Sequence, residues 1–144
     1  MTNSRDCCPC CGYLTLPKRM HPQMPQWDIC GLCHWEDDGQ TDRDADRVYG
    51  GPNQRYSLTE ARANFKKYLI MYSPDNDTRI VSGDWPEEIE IKKSLIKLFE
   101  ESKTLNNQCR ADEIWEEIIN LENKLDEITS LKINQFYKER NLED

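Results

Sequence analysis

The sequence predicts a small α+β protein in which a cysteine-rich N-terminal module with short strands and one packed helix precedes an α-helical hairpin. Six of the seven cysteines lie within the first 33 of 144 residues, and prolines at positions 9, 17, 22 and 25 exclude a long helix there. Apolar residues at helical spacing begin at Leu58 and return in two long stretches of the second half. We therefore expect two domains, at residues 1–73 and 74–144.

The cysteines of the first domain form two spaced pairs. Cys8 and Cys11 make one C-x-x-C pair, Cys30 and Cys33 make a second, and 18 residues separate the pairs. This spacing is typical of a zinc site, because two residues between paired cysteines let both sulfurs face one ion and zinc favours four thiolates in a tetrahedron. The pattern predicts one structural Zn²⁺ ion bound by these four thiolates in a zinc-ribbon-like module, with no open position for catalysis.

The residue after each cysteine pair favours this choice of ligands over the neighbouring cysteines. Gly12 follows the first pair, where a zinc knuckle requires a positive φ, and His34 has the matching place after the second pair. Cys7 and Cys10 are an equally spaced alternative pair that glycine does not follow directly. In the favoured register Cys10 is a spare thiol near the metal or a packing residue, and Cys109 is expected to be a buried small apolar residue.

Three helices are expected. The capping box of Ser57, Leu58, Thr59 and Glu60 starts a helix over 57–72, and Asp84 is expected to cap a second helix over about 85–104. A third runs over about 110–139, with an apolar stripe at Ile114, Ile118, Leu121, Leu125 and Ile128. The stripe is expected to pack on the preceding helix as a hairpin, with self-association or a foreign partner as alternatives. A brief strand is expected at 79–81.

Charge and composition narrow the function. With 27 acidic and 19 basic residues, the net charge of −8 argues against nonspecific phosphate binding and is compatible with a basic protein partner. The chain shows neither a membrane segment nor a signal peptide, so we expect a cytoplasmic protein with reduced thiols. The two histidines, His21 and His34, form no triad, and no catalytic residue is assigned; we expect that the protein is not an enzyme.

Taken together, the motifs resemble the bacterial CPCC cysteine-rich domain family over about residues 6–72. The resemblance rests on four segments in order: 8–13 (CPCCGY), 29–39 (with Cys30, Cys33 and WEDDG), 50–53 (GGPN) and 57–65 (SLTEARANF). Gly31 stands where a proline is expected. The resemblance implies a small zinc-binding domain, and it implies a role beside bacterial polymorphic toxins, where such proteins are suspected immunity proteins.

The functional hypothesis is therefore a zinc-stabilised immunity protein that neutralises a basic toxin. Trp35 is the expected anchor, with acidic side chains steering the toxin. The acidic candidates are Glu36, Asp37, Asp38, Asp42, Asp44, Asp46, Asp112, Glu113, Glu116 and Glu117. The alternatives left open are a Trp35 packed over the knuckle with solvated acids, and a nucleic-acid-binding zinc ribbon that uses Arg62, Lys66 and Lys67.

Overall fold

A computed structural model describes residues 5–21, 24–75 and 83–143, and it divides the chain into two compact units, 1–74 and 75–144. The architecture is the expected α+β type. Strands β1 (Arg5–Cys7) and β2 (Leu14–Pro17) form an antiparallel pair, and helices α1 (Leu58–Tyr68), α2 (Pro86–Ser102) and α3 (Gln108–Glu143) follow. The strand expected at 79–81 lies outside the described residues. None of the described helices is both long and apolar enough to span a membrane.

The first unit packs α1 against the cysteine-rich segment. The Arg62 guanidinium donates to the Pro9 carbonyl at 2.9 Å, and the Tyr13 and Phe65 rings meet edge to face at 6.5 Å. The buried apolar side chains of this unit are Leu16, Leu32, Trp35, Ala45, Tyr56, Leu58, Ala61, Phe65, Ile70, Met71 and Tyr72. This core is modest, so a bound metal would add substantially to the stability of the unit.

Helix α1 begins as predicted but ends earlier. The Ser57 hydroxyl accepts the Glu60 N–H at 3.1 Å, although among the described residues Glu60 does not return the second hydrogen bond of a capping box. Leu69 adopts a left-handed φ of 61° and stops the helix, and the Met71 N–H then donates to the Cys33 carbonyl at 2.8 Å. The helix therefore ends because the chain turns back to the second cysteine pair.

The second unit is a helical hairpin of α2 and α3. Ile114, Ile118 and Leu125 of the predicted stripe are buried, and the Trp115 ring packs edge to face on Phe99 at 5.9 Å. Helix α2 thus covers most of the stripe, Leu121 and Ile128 are half-buried, and self-association through α3 stays a prediction. Cys109 is exposed at the start of α3, so its predicted burial is wrong.

A buried cluster of charges lies near the first turn of α2. Asp84 does not cap the helix; the cap is Trp85, whose N–H donates to the Glu88 carboxylate at 2.7 Å. Asp84 instead pairs with Lys92 at 2.5 Å, and Lys132 of α3 donates to Glu88 at 2.7 Å. Both lysines, Glu88 and the Asp84 side chain are at most 4% exposed.

Candidate metal centre

Four cysteine thiols converge at the centre of the first unit. One sulfur from each of Cys8, Cys11, Cys30 and Cys33 lies within 4.8 Å of the other three. The Cys8 and Cys33 sulfurs are 3.6 Å apart, and those of Cys11 and Cys30 are 3.8 Å apart. In a tetrahedron with zinc–sulfur bonds of about 2.3 Å, neighbouring sulfurs are about 3.8 Å apart. These four residues therefore have the spacing that a tetrahedral metal ion requires.

Each of the two cysteine pairs lies on its own backbone turn, and the two turns are of the same kind. In the first turn the Gly12 N–H donates to the Cys8 carbonyl at 2.8 Å, and in the second the His34 N–H donates to the Cys30 carbonyl at 2.9 Å. Gly12 has a φ of 82° and His34 a φ of 70°, so both occupy the left-handed region that the sequence predicts for them. Two equivalent turns thus present two sulfurs each to one point.

Backbone N–H groups also point at the second pair of sulfurs. The Leu32 and Cys33 N–H groups both donate to the Cys30 sulfur at 3.4 Å, and the Trp35 N–H donates to the Cys33 sulfur at 3.5 Å. Hydrogen bonds of this kind favour the ionised form of a thiol. The site is therefore prepared to hold thiolates, which are the form that binds metal.

The shifted pKa values of Cys8, Cys30 and Cys33 indicate why a cation suits the site. Burial raises the pKa of Cys30, but hydrogen bonds with Cys11, Cys33, Cys8 and Thr15 outweigh burial and hold it well below its ordinary value. Hydrogen bonds with Cys11 and Cys30 raise the pKa of Cys8, and burial raises the pKa of Cys33. Several buried thiols cannot ionise together without a compensating cation, whereas a divalent ion would stabilise all four thiolates.

The other two cysteines of this segment do not belong to the group of four. Cys10 is buried and its thiol contributes to the raised pKa of Cys33, while Cys7 is exposed at the end of β1. The group of candidate ligands found among the described residues includes neither of them. The geometry thus favours the register of Cys8 and Cys11 over that of Cys7 and Cys10.

Three residues that follow the second cysteine pair, and that were predicted to contact a partner, are buried. Trp35 is fully buried, Asp37 is 2% exposed and Asp38 is 6% exposed, so none of the three lies on the surface as a toxin contact. The Arg19 guanidinium donates to Asp37 at 2.8 Å, and the Asn53 amide donates to Asp38 at 3.1 Å. The packed Trp35 is the alternative that the sequence left open, but the two acids beside it are not solvated.

Arg19 and Asn53 hold this segment in place, a role that the sequence analysis did not assign to them, although Asn53 belongs to the GGPN motif. Asn53 also accepts the Glu36 N–H at 3.1 Å and donates to the Glu36 carbonyl at 2.8 Å, so its amide fixes the strand that leaves the knuckle. The sequence carried a partial signal that Asp37 and Asp38 have structural roles, because Asp residues next to a Gly often accept backbone N–H groups in turns. In the structure Asp37 accepts the Gly39 N–H and Asp38 accepts the Gln40 N–H. The partner Arg19, 18 residues away, has no local signal.

The remaining predicted contact residues lie at or near the surface, and several already have partners. Asp42 pairs with Arg62 at 2.6 Å, Asp44 accepts the Tyr49 hydroxyl, and Asp46 accepts the Thr59 hydroxyl at 2.6 Å. On α3 the acidic side chains are exposed: Asp112, Glu113, Glu116 and Glu117. These residues are accessible to a basic partner, and their contact with one stays a proposal.

Fold and site together define a small zinc-ribbon-like domain, with four convergent cysteines, that is followed by a helical hairpin. Comparison with known families agrees with this class: the model of the cysteine-rich CPCC family matches residues 6–78, about half of the chain. The protein belongs to the cysteine-rich CPCC family. No curated protein and no solved structure matches the chain.

Proposed function

We propose that the protein binds one structural Zn²⁺ ion through Cys8, Cys11, Cys30 and Cys33. The observation that supports zinc is the pair of sulfur separations, 3.6 and 3.8 Å, close to the edge of a zinc–thiolate tetrahedron. Four thiolates close the coordination shell, so the ion would act by holding the two turns together rather than by activating water. Metal analysis of protein purified under reducing conditions should find one zinc per chain.

We propose further that the zinc-stabilised protein is a cytoplasmic immunity protein, not an enzyme, that neutralises a basic toxin. The family resemblance supports the role, and the net charge of −8 supports a basic partner. Exposed acids of α3 would draw the toxin in by electrostatic steering, which raises association rates most at low salt. A reduced compartment suits the proposal because the ligands must stay thiolates.

Growth rescue tests this proposal. Each protein encoded beside the gene is expressed in a bacterial host with and without the immunity candidate, and rescue from one of them identifies the toxin. The Cys30→Ser variant should fail to rescue, whereas Cys109→Ser, which changes an exposed thiol outside the metal group, should rescue fully. If no flanking protein is both toxic alone and neutralised in the pair, the immunity role is wrong.

A nucleic-acid-binding ribbon has less support. Arg62, the centre of the small basic patch considered for it, already donates to the Pro9 carbonyl and pairs with Asp42. Co-purification of nucleic acid that high salt removes, without a protein partner, would nevertheless replace the immunity proposal.

A further inference from the structure

Trp27 occupies a backbone position that usually requires glycine. Its N–H donates to the Asp37 carbonyl at 3.0 Å, and the Asp37 N–H donates to the Asp28 carbonyl at 2.9 Å. Trp27 and Asp28 on one extended segment thus oppose the single residue Asp37 on the other, next to the bridge between Ile29 and Glu36, which is the pattern of a β-bulge. Trp27 has a φ of 65° at this bulge, where a bulky side chain is strained and glycine is not.

The packing of the indole does not compensate for this strain. Trp27 is 53% exposed. In contrast, Trp35, on the opposite one of the two paired segments, is fully buried. Strained backbone positions persist only where the surrounding structure enforces them and are concentrated at functional sites, and bulges near active sites often redirect a side chain. A large aromatic group that is held outward at a strained position is therefore a candidate contact for another molecule.

Ile29 and Glu36 lie close to Trp27 in the paired segments. Ile29 is 59% exposed and lies within about 7 Å of Trp27 along the chain, since each residue spans at most about 3.6 Å. Glu36 pairs with Ile29 across the two strands, so their side chains lie on the same face. Among the described residues the Glu36 carboxylate has no hydrogen bond or ion pair. We call Trp27, Ile29 and Glu36 the Trp27 patch.

The metal centre fixes this patch in place. Ile29 directly precedes the ligand Cys30, and the Cys30 N–H donates to the Trp35 carbonyl at 2.9 Å, one residue before Glu36. Asn53 holds the Glu36 backbone from the other side. A rigid surface loses little conformational entropy on binding, so the patch is preorganised.

Resting on the proposed function, we propose that the Trp27 patch is the central contact with the toxin and that Trp27 is its anchor in place of Trp35. The matching toxin surface is an apolar pocket for Trp27 and Ile29 with a Lys or Arg at its edge for Glu36. Exposed aromatic anchors beside a charged group are typical of the residues that dominate binding energy. A second copy of the chain is disfavoured as the occupant, because each copy carries a net charge of −8.

The test uses the full-length protein and each purified basic protein encoded beside its gene as the probe. Trp27→Ala should weaken binding by about 30-fold or more, the effect of an anchor residue. Glu36→Gln should slow association at low salt and lose this effect at high salt. Val48→Ala is the matched control, because Val48 is 57% exposed in the same unit and lies outside the patch.

Trp27→Gly separates binding from folding. Glycine adopts a positive φ without strain, so this variant should melt at or above the temperature of the wild type, keep its zinc, and still lose binding. A role of Trp27 in folding would instead lower the melting temperature of the variant.

The outcomes distinguish the patch from the immunity role. If the wild type binds and neutralises a toxin and Trp27→Ala does so equally well, the patch is wrong and the immunity role stands. If the wild type binds none of the flanking proteins, both are wrong. Concentration-dependent dimerisation, or sedimentation with vesicles of anionic lipid, that Trp27→Ala abolishes would assign the patch to another occupant and overturn the proposal.

Discussion

Replacing Cys30 by serine tests the metal centre most directly. Cys30 is fully buried, its sulfur lies 3.8 Å from that of Cys11, and it accepts the N–H groups of Leu32 and Cys33. The Thr15 hydroxyl oxygen lies 3.0 Å from the Cys30 sulfur. Serine keeps the size of the side chain but removes the soft thiolate, and its oxygen is a poor ligand for zinc. The substitution therefore removes one of four ligands with little change in packing.

The size of the effect follows from the number of ligands. A structural zinc site contributes about 10–16 kcal/mol of apparent binding free energy at neutral pH. If four equivalent thiolates share this, each contributes about 2.5–4 kcal/mol, because the sum is divided by four. The loss of Cys30 should therefore weaken zinc binding by roughly 10²–10³-fold, at about 1.4 kcal/mol for each factor of ten.

Competition with a chromogenic chelator measures this change. The wild type and the variants are loaded with zinc under reducing conditions, and the chelator concentration that removes half of the metal is compared. Cys7→Ser and Cys109→Ser are matched controls, because both thiols are exposed and lie outside the group of four. These controls should behave as the wild type does.

Two results would contradict the reasoning. If Cys30→Ser holds zinc as tightly as Cys109→Ser does, the four sulfurs do not form the metal centre. If Cys10→Ser loses zinc as Cys30→Ser does while Cys11→Ser does not, the ligands of the first pair are Cys7 and Cys10. Because Cys10 is buried beside the group of four, this second comparison is informative.

Three further predictions concern stability. Lys132→Met should destabilise the helical unit by about 3–5 kcal/mol in urea denaturation, because it leaves the buried Glu88 carboxylate uncompensated. The control is Lys138→Met, which changes an exposed lysine and should alter the free energy of unfolding by less than about 0.5 kcal/mol. Burial raises the pKa of Glu88, but hydrogen bonds from Lys132, Trp85 and Thr129 outweigh it and hold the pKa below its ordinary value. The contribution of Glu88 to the free energy of unfolding should thus be complete above about pH 4.5 and be lost as the pH falls through the folded pKa. If a Glu88→Gln variant keeps the same acid transition, that transition does not come from Glu88. Ser57→Ala should destabilise the first unit by about 1 kcal/mol through the lost helix cap, and an unchanged melting temperature would show that the Ser57 hydroxyl does not act as a cap.

The convergence of four cysteines could be predicted from the sequence because its signals are local. Two C-x-x-C pairs and the residue after each define the four candidate ligands and the positive φ of Gly12 and His34 without knowledge of the fold. The helices could be predicted for the same reason, since apolar spacing and end signals lie within each segment. Two helix ends were exceptions. Helix α1 ends early because the left-handed Leu69 depends on a backbone contact of Met71 with Cys33, and α2 is capped by Trp85 because Asp84 pairs with the buried Lys92.

Burial of polar groups could not be predicted, because it depends on partners that are distant in the chain. Asp37 and Asp38 read as surface acids, and only the fold brings Arg19 and Asn53 to them. The two tryptophans of this segment show the same limit. The sequence left open whether Trp35 is a partner anchor or packs over the knuckle, and it did not consider Trp27; the structure buries Trp35 and exposes Trp27, since backbone pairing and the bulge decide which ring faces outward.

The buried charges of the helical unit have a role that stability alone does not explain. Buried ion pairs are often no more stable than apolar pairs of the same size, but they can select one arrangement of helices. Lys132 pairs with Glu88 in the observed register of α2 and α3. A shift of α3 by one heptad would bring Leu125 or Glu139 to that place, and either would leave the buried Glu88 carboxylate without a cation. The apolar stripe alone repeats and would tolerate such a shift, so we expect the Glu88–Lys132 pair to favour the observed register of the hairpin.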